Sequence, residues 1–269
     1  MAWESAAIGL LTDALKSVLG RIMESGQERR AAQLISEATR ELLLEHPHIE
    51  EVKSKLIEAE KLLKTPSPQL LHAQFFLDRV TQDYTSAQFA LGKMRNVYKQ
   101  MGSVKGVAEA NELSAITFIE MQNYSEAADL FQQVVNSYKQ IGDFRSLVEI
   151  FPHALEAYIH ENLNLQAQEL VSENIEIAIR SREPEKVFAI LISLGMIANS
   201  CNSNLLAVKA FSTAWAMQES DKLWSQIKEC SSSLSLSESQ LNNILVTTKE
   251  NFQEGKTDEL VLYLFNNEN

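Results

Sequence analysis

Only two cysteines stand in the 269 residues, Cys201 and Cys230, with no CxxC pair and no third thiol. That count excludes a disulfide framework and a thiolate metal site, and it leaves two reduced core residues of a cytoplasmic protein as the expectation. Nine glycines and five prolines are too few for a turn-rich all-β fold. No apolar run is long enough to cross a bilayer, because charges such as Asp13 and Lys16 interrupt the N-terminal one. Glu4 stands where a secretory leader would carry basic residues, so no leader is expected. Positive charge is also short: 24 Lys and Arg face 36 Asp and Glu, a net charge of −12. The deficit argues against nucleic-acid binding and against an anionic membrane, which both select clustered cations. GxSxG, a phosphate-binding glycine loop and HExxH are all missing, which removes the common signatures of hydrolases, nucleotide-binding enzymes and metalloproteases.

What the chain does have is a repeat. Tyr84-Thr-Ser-Ala87 returns 40 residues later as Tyr124-Ser-Glu-Ala127, then as Asn164-Leu-Gln-Ala167 and Asn204-Leu-Leu-Ala207. Block ends match as well, Tyr98-Lys-Gln-Met-Gly102 against Tyr138-Lys-Gln-Ile-Gly142. A fixed period of this size is the mark of stacked helical pairs. The pattern predicts first helices over 68–82, 106–122, 146–162 and 186–201, and second helices over 84–101, 124–141, 164–181 and 204–219. Gly102, Gly142 and Arg182-Glu-Pro184 punctuate the joints between pairs.

The flanks read as helices too. Ile8, Leu11, Leu15, Val18, Leu19 and Ile22 form one apolar stripe over residues 3–24, as a capping or docking helix would show. Helices are expected over 27–45 and 49–63, separated by His46-Pro47-His48 and stopped by Pro66 and Pro68. After Asp221 the beat fades. A helix starts near Leu223–Cys230, Ser231–Ser237 reads as a loop with Ser237 as an N-cap, and helices follow over 238–254 and from Thr257.

The block Leu194-Gly195-x-x-Ala198, Asn204-x-x-Ala207-x-x-x-Phe211-x-x-Ala214 resembles the tetratricopeptide repeat in its longer, 40-residue form. Ala115-x-x-Phe118, Tyr124-x-x-Ala127-x-x-x-Phe131 and Leu155-x-x-Tyr158 with Ala167 follow the same pattern. Small residues there would let helices approach while aromatics fill the gaps between pairs. The resemblance implies an all-α, right-handed α-solenoid with N- and C-terminal capping helices. Its divisions would be an N-terminal helical segment (1–66), repeats (67–221) and a C-terminal cap (222–269). It also implies a non-catalytic protein-binding role in the cytoplasm, as an adaptor, inhibitor or regulatory subunit, with no cofactor.

Charge sharpens that expectation. Residues 84–107 carry four basic and no acidic side chains, whereas 108–185 carry fourteen acidic and four basic. The family's groove positions fall on the first helix of each pair. Carried over, they are Glu109, Glu112, Ile116, Ile119 and Glu120, then Glu149, His153, Glu156, Ile159 and His160, then Met196 and Asn199. Such a groove would suit a partner protein with a basic or amphipathic segment. The oligomeric state stays open. A rival reading uses Glu149, His153, Glu156 and His160, whose helical spacing aligns them on one face as ligands of a metal-dependent helical enzyme or metal-binding protein. The paired Glu-x-x-His helices of such bundles are missing, and Pro152 sits among the ligands.

Overall fold

The computed structural model describes residues 26–253 and 257–265, so the helix expected over 3–24 lies outside the described residues. Every regular element among them is α-helical, and the helices pack in neighbouring pairs. They divide into two compact units that meet in sequence at Gln122 and Asn123. The first unit holds α1 (Gly26–Leu42), α2 (Ile49–Leu62), α3 (Pro68–Val80), α4 (Tyr84–Gln100) and α5 (Val104–Glu120). The second holds α6 (Tyr124–Ile141), α7 (Phe144–His160), α8 (Asn164–Arg180), α9 (Pro184–Ser200) and α10 (Asn204–Met217). It continues with α11 (Asp221–Ser233), α12 (Glu238–Gln253) and α13 (Thr257–Phe265).

The joints obey a shorter beat than the sequence reading found. Gln82, Gly102, Gln122, Gly142, Asn162, Arg182 and Asn202 all have positive φ, between 56° and 70°, one at every twentieth residue. Each ends a helix by turning left-handed, and its N–H donates to the carbonyl three residues back. At six of these joints the next N–H reaches five residues back, as Asp83 does to Asp78 at 2.8 Å and Ser203 to Ala198 at 2.7 Å. This bond pair satisfies carbonyls that a helix end would otherwise leave open. One residue later the chain caps the following helix. Asp83, Ser103 and Asp143 accept from the N–H groups of Ser86, Gly106 and Ser146, each at 3.1 Å. A cap of this kind stabilises its helix by about 1 kcal/mol. Stop and start signals therefore share three residues, which is why α5, α7 and α9 begin two residues earlier than the pattern predicts.

Each unit has its own core. In the first, Leu70, Leu71 and Phe75 of α3 pack with Ala87, Leu91 and Met94 of α4 and with Leu113 of α5. Phe75 and Phe76 stand where the repeat pattern expects small residues. They are buried together with His72, whose ring lies 4.9 Å from that of Phe76, edge to face. In the second unit α7 packs on α6, α8 and α9, and α10 on α9, α11, α12 and α13. The recurring alanines behave alike: Ala87, Ala127, Ala167 and Ala207 each occupy the fourth position of a helix and are fully buried. Gly195 is pressed against the ring of Phe211, which lies where a Cβ would have to go. Both observations fit the close-approach role expected of small residues.

Two expectations about the flanks change. Helix α1 ends at Leu42 rather than Glu45, ahead of the His46-Pro47-His48 break. Ser231–Ser233 are not a loop: α11 runs through them. Their hydroxyls turn back onto carbonyls one helical turn earlier, Ser231 to Ile227 at 2.6 Å and Ser232 to Lys228 at 2.8 Å. Ser237 caps α12 as expected, exchanging bonds with Gln240 in a capping box.

Candidate functional site

In the first unit α5 carries Glu109, Glu112, Ile116, Ile119 and Glu120, all partly buried. Glu120 is committed elsewhere. Its carboxylate accepts from Nε of Arg79 at 2.9 Å and from Nη2 of the same guanidinium, whose side chain is only 7% exposed. A guanidinium this deeply placed needs a counter-charge, so Glu120 ties α3 to α5 rather than standing open to a partner.

In the second unit α7 carries Glu149, His153, Glu156, Ile159 and His160. Glu149 pairs with Arg145 at 2.9 Å on the surface. His153 is partly buried. Ile159 is 5% exposed and belongs to the core. His160 stacks on Tyr124, the first residue of α6, with ring centroids 3.7 Å apart and planes within 8°. Glu156 lies one turn before His160. Burial holds its carboxyl above the ordinary carboxylate range, and the neighbouring His160 offsets part of that shift.

Two residues that sequence reasoning missed complete this cluster. Burial, then Glu156 and Cys201, raise the Tyr124 hydroxyl. Burial also raises the Cys201 thiol, with Ser200 opposing and Glu156 adding to the shift. In the sequence Tyr124 marks only the repeat, and Cys201 only a core thiol. The twenty-residue beat holds the signal, because Cys201 immediately precedes the left-handed Asn202 at the end of α9. Helix α9 itself packs beside α7. Met196 on α9 is 61% exposed, while Asn199 accepts from the Cys230 thiol at 3.3 Å.

Chemically the cluster is poor in nucleophiles. Cys201 is kept protonated, the reverse of what activates a catalytic thiol. Among the described residues no three His, Cys, Asp or Glu side chains gather closely enough to hold a metal ion. The four residues of the metal reading do not form such a group; Glu149 pairs with Arg145, and His160 stacks on Tyr124. Among the described residues, too, no helix is long and apolar enough to cross a membrane. What the second unit does offer is a pair of adjacent helices, one bearing Glu149 and Glu156 and one bearing an exposed thioether. No family model, curated protein or solved structure matches the chain.

Proposed function

We propose that the chain is a non-catalytic protein-binding module of the cytoplasm. In this reading its hairpins continue as a right-handed α-solenoid of tetratricopeptide-like repeats, with capping helices at both ends. The partner is a basic, amphipathic segment of another protein. One observation carries this reading: α7 and α9, the first helices of successive pairs, lie side by side. Acidic Glu149 and Glu156 stand on the one, and the exposed Met196 on the other. A cation and an apolar side chain one or two helical turns apart would meet both.

Glu156 adds a chemical signature. Its raised pKa means that part of the population is neutral below the raised value, and an arriving Lys or Arg would restore the charge. Binding then releases protons, and affinity increases as pH rises through the Glu156 range. The direct test is affinity capture from the native host with the wild-type chain and with the Glu149→Lys, Glu156→Lys double variant. The expected result is loss of partner with helical content intact; undiminished capture by the double variant removes the groove from the account.

A further inference from the structure

Helix α4 displays a second surface, independent of the acidic one. Phe89 is 65% exposed in the middle of the helix, and the ammonium of Lys93 lies over its ring, 4.4 Å from the centroid. Gly92 falls between them, and a Cβ built there would meet nothing within 4 Å. Thr85, Asn96 and Lys99 are exposed on the same helical face, and α4 contains no acidic residue. An exposed aromatic beside an open glycine is a costly choice on a solvated helix. Glycine weakens the helix, and the ring gains nothing in water.

The repeat supplies an internal control. The positions equivalent to Phe89 in α6 and α8 are Asp129 and Glu169, both exposed; those equivalent to Gly92 are Gln132 and Ser172. A solvated copy of this face is therefore polar. In α10 the equivalent residues are Lys209, Ser212 and Thr213, and all three are buried. There α12 and α13 pack on the helix. The Lys209 ammonium donates to the Tyr263 carbonyl at 3.2 Å and lies 4.9 Å from the centroid of that ring. So the fold contains one copy of this face already covered by helices, with the short α13 holding its Lys209. The covering helix α13 opens with Asp258 and Glu259 and continues with Leu260, Val261 and Leu264.

The geometry points to the Phe89–Gly92–Lys93 face of α4 as a docking site for a short amphipathic helix of another protein, acidic at one end and aliphatic along one side. Phe89 forms the ridge, and Gly92 the notch that lets the partner backbone approach. Lys93 and Lys99 match the acidic end. Residues 84–107, all basic where charged, complement such a partner in a chain that is otherwise acidic.

A lactam-stapled, end-capped peptide of residues 257–265 serves as the probe, titrated into the full chain by fluorescence anisotropy. Saturable binding is expected, weakened at least tenfold by Phe89→Ala, by Lys93→Glu and by Gly92→Leu. Gly92→Leu separates docking from folding, because it fills open space on a helix and leaves the thermal midpoint unchanged or higher. Absence of binding, or equal affinity in all variants, overturns the proposal. So does self-association, or binding of a single-stranded oligonucleotide, that the same variants abolish; either would give the face to a second copy or to nucleic acid.

Discussion

A Cβ added at Gly195 would stand 2.6 Å from Cδ1 and Cε1 of Phe211 and 2.9 Å from Cζ. The ring is 1% exposed, so it cannot swing into solvent to make room. Overpacking a closed core costs about 1–3 kcal/mol, and three crowded ring atoms put Gly195→Ala in the upper half of that range. Replacing glycine by alanine inside a helix returns about 1 kcal/mol. The net expectation is a loss of about 1–2 kcal/mol from the second unit. Gly92→Ala is the matched control, with nothing within 4 Å of the new methyl. It should stabilise its unit by up to about 1 kcal/mol, read by far-UV circular dichroism. Trp215 and Trp224, with ring centroids 5.7 Å apart, report the second unit in a Trp3→Phe background. With a urea m-value of about 2 kcal/mol per molar, Gly195→Ala lowers the midpoint by roughly 0.5–1 M, and adding Phe211→Leu recovers part of it. Gly195→Ala as stabilising as Gly92→Ala would refute the close α9–α10 approach.

Other outcomes follow from single contacts. Glu120→Ala strands the Arg79 guanidinium and should cost the first unit about 2–3 kcal/mol, below the fully buried range because Glu120 is 25% exposed; Arg79→Met with Glu120→Leu should recover most of it, read by urea unfolding followed by far-UV circular dichroism. Burial pushes the His72 imidazole down from its ordinary 6.5 to about 4. The unfolded chain then binds the extra proton first, so this contribution is complete above pH 6.5 and is lost as pH falls toward 4, by roughly 3 kcal/mol. Asp78 in the same unit works the other way, its carboxyl raised to about 6 chiefly by burial. The His72→Phe variant isolates the first effect: it should lose less stability than wild type between pH 7 and pH 4.5, and parallel pH profiles would contradict the assignment. Gly142, at φ 70°, should cost about 1 kcal/mol when replaced by alanine, read as a lowered thermal midpoint.

The helical class and the forty-residue beat were legible because packing writes them twice, in the buried alanines and in the aromatics that fill beside them. The twenty-residue beat was not. Its left-handed position is glycine only at 102 and 142; elsewhere it is Gln82, Gln122, Asn162, Arg182 or Asn202, so no single residue type marks it. The serines of 231–233 misled for a related reason, since a hydroxyl favours turns only until a carbonyl one turn back is free to accept it. Register arguments could name Glu120 and Ile159 as groove positions. They could not show that Arg79, 41 residues away, claims the first, or that the core takes the second. Tyr124, Glu156, His160 and Cys201 converge through tertiary packing of α6, α7 and α9, which no local pattern encodes.

The central claim is that α7 and α9 present a face for a basic amphipathic partner. Hydrogen–deuterium exchange of the full chain, with and without a synthetic Lys- and Leu-bearing helical peptide, tests it most directly. The account predicts new protection over residues 144–160 and 184–200, and at least tenfold weaker binding by Glu156→Lys. Protection confined to other helices, or equal binding by that variant, would contradict it.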